Sequence, residues 1–334
     1  MVEAAALRDK FHHLHNSKKL PDTDELNGIL EAALHTLSAE NPLIRPPDTQ
    51  GRPGGLILLR PDKTAIIVPD LHARTGYITA LMDMELSGKP VLDALLAGEL
   101  QIICVGDGFH SEARGYQRWQ LAWQEFLGGY RRHKAIDGEM RENLALMAMV
   151  MMLKSAAPDG FHFLKGNHEN VTNSNSAGNR EFGKFVAEGE MVAAWFRKFP
   201  GVEMLKKWDQ FEAALPLLAV GDFYMISHAE PRIPYSREDV IAYRNNAQLI
   251  SDFTWTGNDE AEEGSVASML SMYLGARAED ALYFGGHRPV EGIYKLRAGG
   301  RYVQIHNPQY YIAAIIQAGQ KPQPERDIIR LKED

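Results

Sequence analysis

The stretch Ala65–Arg74, AIIVPDLHAR, runs from apolar residues into a turn that carries Asp70 and His72 two positions apart. An extended chain alternates its side chains, so residues at i and i+2 share a face and these two can point the same way. The same plan recurs downstream. Ile102–His110 (IICVGDGFH) sets Asp107 behind a glycine, and Phe163–Asn170 (FLKGNHEN) offers Asn167, His168 and Glu169. Met225–Pro231 (MISHAEP) ends its apolar run on His228, and Leu282–Pro289 (LYFGGHRP) on His287. Each motif alone has a plain structural reading: a surface turn, a helix start, a satisfied core histidine. Together and in order, each straight after an apolar run, they point to one site at the carboxyl ends of strands, where layered α/β folds gather their ligands.

Working outward, strands are expected over Leu56–Leu59, Thr64–Val68, Gln101–Val105, Phe161–Leu164, Phe223–Ile226, Leu282–Phe284, Tyr302–Ile305 and Tyr311–Ile316. Helical spacing of apolar residues predicts helices over Thr23–Ser38, Tyr77–Leu86, Arg118–Gly128, Glu139–Lys154, Glu181–Lys198 and Ser265–Leu274. Strands interleaved with helices imply an α/β layered fold. Asn307-Pro308 stands between the last two strands, which predicts that they pair antiparallel. The Pro- and Gly-dense run NPLIRPPDTQGRPGG breaks the first helix. Residues 1–50 are therefore expected as a helical extension packed on the core, 51–320 as one catalytic domain and 321–334 as a loosely held tail.

A formal net charge of -8 and a pI of about 5.9 argue against a surface built to neutralise nucleic-acid polymers or anionic membranes. The longest apolar run, Leu144–Leu153, falls far short of the roughly 20 residues that span a bilayer. The first residues, MVEAAALRDKFHHLHNSKK, lack the apolar core of a signal peptide, so a cytoplasmic location is the default. Cys104 is the single cysteine; it forms no internal disulfide, and its apolar neighbours predict burial. No obligate partner is evident.

Carboxylate, imidazole and amide donors together suit borderline divalent ions such as Mn, Fe, Zn or Ni better than Mg or Ca alone. Two such ions about 3.5–4 Å apart, sharing one carboxylate, generate a nucleophile from water and clamp phosphoryl oxygens during in-line attack. Asp107 is the natural bridge.

These residues resemble the calcineurin-like metallophosphoesterase superfamily, whose pattern runs D-x-H, G-D, G-N-H-[DE], H and then G-H. Asp70-Leu71-His72, Gly106-Asp107, Gly166-Asn167-His168-Glu169, His228 and Gly286-His287 match it in order. Many members finish G-H-x-H, but here Pro289 stands two after His287, as in the phosphoprotein phosphatase branch that includes the Ser/Thr protein phosphatases. Asp209–Pro231, the run Asp252-Phe253-Thr254-Trp255 and the run Asn307-Pro308-Gln309-Tyr310 are similar to that branch as well, so the likeness covers roughly residues 20 to 320. It implies a layered β-sandwich flanked by helices. One metal would be held by Asp70, His72 and Asp107, and a second by Asp107, Asn167, His228 and His287. His168 would be the general acid for the leaving alkoxide, with Asn167 and Tyr310 beside the substrate.

That branch continues G-D-x-x-D-R-G, and here the sequence departs: Gly106–Gly115 reads GDGFHSEARG, so the Arg-Gly arrives three residues late. His110 occupies the place of the Asp that supports the catalytic histidine, which leaves His110 or Glu112 for that role. Arg114 is the candidate for gripping phosphate, and Arg232 or Arg277 for a second guanidinium. The implied reaction is phosphomonoester hydrolysis, with phosphoserine or phosphothreonine of a phosphoprotein as the expected substrate. The alternative substrate is a nucleotide or dinucleoside polyphosphate, and the alternative of another class is a non-catalytic metal-binding interaction module.

Overall fold

In the strand Thr64–Val68, Ala65 and Ile67 enter one apolar cluster while Ile66 and Val68 enter another, and all four are fully buried. A strand covered on both faces has no use for polar alternation, which is why its sequence is a continuous apolar run. The computed structural model describes residues 3–332 and places this strand inside a sandwich of two sheets.

In chain order the strands are β1 (Leu56–Leu58), β2 (Thr64–Val68), β3 (Glu85–Leu86), β4 (Lys89–Pro90), β5 (Leu100–Cys104), β6 (Phe161–Phe163) and β7 (Leu218–Val220). They continue as β8 (Tyr224–Ser227), β9 (Leu282–Gly285), β10 (Lys295–Arg297), β11 (Tyr302–Gln304), β12 (Ile312–Ile316) and β13 (Ile328–Arg330). One sheet runs β13-β12-β2-β5-β6 and the other β1-β7-β8-β9-β11-β10, with β3 and β4 a small separate hairpin. Within the first sheet β2, β5 and β6 are parallel, and within the second β8, β9 and β11 are parallel.

The two sheets share one core, in which Ile67, Ile103 and Ala314 of the first meet Ala219, Ile226, Phe284 and Val303 of the second. Helices cover the outer faces. Against the first sheet pack α1 (Ala4–Asn16), α2 (Thr23–Ser38), α3 (Thr75–Asp83), α4 (Val91–Leu96), α5 (Tyr116–Leu127), α6 (Lys134–Ala156), α7 (Glu188–Lys198) and α8 (Val202–Ala214). The second carries α9 (Arg237–Ile241), α10 (Ala247–Thr254) and α11 (Ser265–Leu274). α6 is apolar on most sides because it lies beneath α2 and α5, and its first turn donates Ala135 and Ile136 N–H groups to the Glu125 carboxylate. Among the described residues no helix is long and apolar enough to cross a membrane. Cys104 is buried and free.

Three expectations need correction. The last two long strands do not pair: β11 belongs to the second sheet and β12 to the first, where β12 runs antiparallel to β2 with Ala314 opposite Ile67. The turn between them is a crossing between layers, pinned by Asn307, whose amide donates to the Val290 and Gly292 carbonyls. The tail is not loose throughout, since β13 pairs with β12, Ile328 opposite Ala314. The helix expected from Glu181 starts at Glu188, because the Glu188 carboxylate accepts from the Lys184, Phe185 and Val186 N–H groups and folds the preceding residues into a loop.

Candidate metal centre and catalytic cleft

The carboxyl ends of the two parallel triplets converge. Asp70 and His72 follow β2, Asp107 follows β5, Asn167 and His168 follow β6, His228 follows β8 and His287 follows β9. The turns that aim them are conformationally costly. His72, Asp107, His110, Glu112 and His287 all have positive φ, between 42° and 77°, a region that L-residues avoid unless the surroundings enforce it.

Glu169 is one enforcer. Its carboxylate accepts from the N–H groups of Asp107 (2.9 Å), Gly108 (2.8 Å) and Gly166 (2.7 Å), tying the loop after β5 to the loop after β6. Arg74 is another, spending its guanidinium on the carbonyls of Asp70, Leu71, Asn307 and Tyr310.

Asp107 lies at the middle. Its Oδ1 accepts from the His168 N–H at 2.9 Å, while Oδ2 lies 3.7 Å from His72 Nε2, 3.5 Å from His228 Nε2 and 4.0 Å from His168 Nε2. The Asn167 side-chain oxygen is 2.9 Å from both His228 Nε2 and His287 Nδ1. Asp70 faces His228 Nδ1 at 3.4 Å and accepts from the His287 N–H at 3.0 Å. Potential ligand atoms of His72, Asp107 and His168, and those of Asp107, His228 and His287, fall within 4.8 Å of one another.

Most of these groups are buried. Burial pushes the Asp70 and Asp107 carboxyls up, further in Asp107 because of Glu169, and pushes His72 and His287 down to about 3. Burial lowers His168 and His228 strongly as well. Neutral imidazoles facing buried carboxyls, several with a ring nitrogen that has no hydrogen-bond partner among the described residues, such as His287 Nε2, form a donor set suited to a cation. The residues present therefore fit divalent metal ions.

A structure of a protein serine/threonine phosphatase from Saccharomyces cerevisiae, with similarity to human phosphatase PP5, matches with a TM-score of 0.56 at 12% identity, over 93% of this chain and 89% of that one. The fold is that of the calcineurin-like metallophosphoesterases. A cold-active protein-tyrosine phosphatase of a psychrophilic Shewanella sp. (TM-score 0.45, 13% identity, 83% and 82% covered) and a putative diadenosine tetraphosphatase (0.43, 14%, 83% and 97%) are looser likenesses that do not bear on the reading. No protein-family model and no curated protein sequence matches the chain.

Within this metallophosphoesterase fold His72, Asp107, Asn167, His168 and His287 line a cavity of about 200 Å³, whose wall adds Glu112, Phe182, Lys184, Trp255, Arg288 and Pro289. Larger hollows of about 910 and 920 Å³ run along α5 and the start of α6, but they contain none of the donors.

The remaining candidates are placed elsewhere or differently. Arg114 is not on the cavity wall; its guanidinium pairs with Glu142. Arg232 is exposed, and Arg277 pairs with Asp222. Tyr310 lies with its ring under the Arg330 guanidinium rather than on the wall. His110 stacks on Trp119, accepts from the Glu112 N–H at 3.1 Å and turns Nε2 toward Glu188 at 3.5 Å, while its ring centroid lies 5.2 Å from that of His168.

Glu112 faces His72 and Lys184. Burial would raise its carboxyl, but His72, His306 and Lys184 outweigh that and hold it far below the carboxylate range. His306 was missed by the motif reading. It follows β11 just as His287 follows β9, but the Asn307-Pro308 beside it reads as a turn between paired strands.

Proposed function

We propose that this protein is a metal-dependent phosphoesterase acting on phosphomonoesters through two divalent ions. The observation that carries the reading is the convergence of Asp70, His72, Asp107, Asn167, His228 and His287 on one buried point with His168 at its edge. Asp70, His72 and Asp107 would hold one ion, and Asp107, Asn167, His228 and His287 the other; Mn, Fe, Zn or Ni suits these donors. Such ions supply positive charge that polarises a phosphoryl oxygen.

The chain's own groups do the rest. His168 is the only one of these histidines read as a proton donor rather than a ligand. Burial keeps its ring neutral, and an anionic phosphoryl group in the cavity favours the imidazolium, so substrate binding itself arms the acid. Lys184 and Arg288 offer cations for the phosphoryl oxygens in place of Arg114 and Arg232. The cavity, about 200 Å³, is smaller than the roughly 300–1,000 Å³ of pockets that enclose a whole small ligand. That size favours a phosphoryl group presented on a longer body, such as phosphoserine or phosphothreonine in a protein, over a dinucleotide held entire.

The test is hydrolysis by protein reconstituted with Mn, first of an aryl phosphate and then of a phosphopeptide against diadenosine tetraphosphate. Preference for the dinucleotide overturns the substrate, and bound metal without any turnover across Mn, Fe, Zn and Ni makes the chain an interaction module. His168→Ala is expected to keep its metal and to lose about 10²–10⁴ in turnover, most with poor leaving groups. Loss of metal instead would make His168 a ligand.

A further inference from the structure

We propose that His306 is a ligand of the metal position formed by Asp70 and His72, and that Glu112 holds it there. This rests on reading the cleft as a metal centre. His306 is fully buried, and neither of its ring nitrogens has a hydrogen-bond partner among the described residues. Nδ1 lies 3.3 Å from Asp70 Oδ2, and Nε2 lies 3.4 Å from Glu112 Oε2. Its ring centroid is 5.2 Å from that of His72, and ligand atoms of Asp70, His72 and His306 fall within 4.8 Å of one another.

A histidine that binds a metal through one nitrogen steadies the other on a carbonyl or carboxylate, which fixes its tautomer. His72 does this with the Phe109 and His110 carbonyls, 3.2 and 3.0 Å from Nδ1, leaving Nε2 for the ion. His228 does it with the Val105 carbonyl at 3.2 Å. His306 repeats the arrangement in mirror order, with Nδ1 toward Asp70 and Nε2 toward Glu112.

Glu112 is built for this duty. Its backbone is held at φ 52°, its N–H donates to His110 Nδ1, and its carboxylate is 3.2 Å from Lys184 Nζ. The lengthened loop after Asp107 thereby acquires a purpose: it delivers the carboxylate that orients His306. A simple ionic link, with His306 as a cation between Asp70 and Glu112, uses the same contacts without a metal, and metal stoichiometry separates the two.

Mn binding to metal-free protein, followed by calorimetric titration and by metal content after dialysis, is the experiment. Wild type is expected to take up two ions. His306→Ala and His306→Gln are each expected to weaken one of the two at least tenfold, and Glu112→Gln to weaken the same one 10- to 100-fold. Asp70→Asn combined with His306→Ala should still abolish only that one. Two ions bound with wild-type affinity by both His306 variants would overturn the assignment; the Gln variant, which preserves bulk and hydrogen bonding, carries the test if the Ala variant does not fold. Wild type that takes up no ion would defeat the metal-centre reading itself.

Discussion

A Cβ on Gly286 would lie 2.0 Å from Asp70 Oδ2 and 2.8 Å from the Asp70 carboxyl carbon. Gly286 is not in the left-handed region, so the demand at this position is for space: the backbone passes so close to a ligand that no side chain fits. Gly166 repeats the arrangement against Asp107, with 2.2 Å from its virtual Cβ to Oδ1. The glycines before Asn167 and His287 are therefore part of the site: Gly286 lets a loop of the second sheet close on the Asp70 carboxylate of the first, and Gly166 lets the loop after β6 close on the Asp107 carboxylate after β5. Gly286→Ala should push Asp70 off its place and disturb the His287 N–H bond to it. The expected result is at least a tenfold loss in Mn affinity with an unchanged circular dichroism spectrum. Wild-type affinity in this variant would show that Asp70 has room to retreat.

At the scale of elements, the strand at 328–330 decides whether β12 is an edge. β13 covers the outer side of β12, with Ile328 and Leu331 buried against the sheets. A chain stopped at residue 320 would leave outer backbone groups of β12 unpaired and lose the burial of two apolar side chains, each worth about 1.5–3 kcal/mol. A thermal midpoint lower by several degrees, with light scattering on heating, is expected; an unchanged midpoint would mean that the tail contributes no support. The strands that carry the ligands were legible because burial on both faces turns β2, β5 and β8 into apolar runs ending abruptly at polar turns. The β11-to-β12 crossing was not, since a short Asn-Pro turn permits a hairpin as readily as a change of layer, and tertiary packing makes the choice. His306 escaped because the Asn-Pro that follows it reads as that hairpin turn. Glu112 and Lys184 come from irregular loops, where no periodicity announces which way a side chain will point.

Across the whole molecule, acid titrates groups far from the cleft. Glu40, just after α2, pairs with Arg45 and, at 2.5 Å, with Lys154 of α6, and His162 of β6 lies beside them at 4.0 Å from Glu40. Among the described residues His162 has no hydrogen-bond partner on either ring nitrogen, and burial, helped by Lys154, pushes it down to about 3. A histidine depressed in the folded state is protonated first in the unfolded chain. Between its ordinary value near 6.5 and about 3 the unfolded state holds the extra proton, so the stability tied to neutral His162 is complete above that window and falls as the pH drops through it. In metal-free protein Asp70 and Asp107, raised by burial, pull in the opposite sense, so the total profile mixes signs. The difference between wild type and His162→Gln removes the shared carboxylates. Measured by urea unfolding, that difference is expected to be flat above pH 7 and to shrink by about 1.4 kcal/mol per pH unit between pH 6 and 4. Parallel profiles for the two proteins would mean that His162 takes up its proton without unfolding the chain, and that the Glu40 carboxylate across the cluster accepts it as an ion-pair partner.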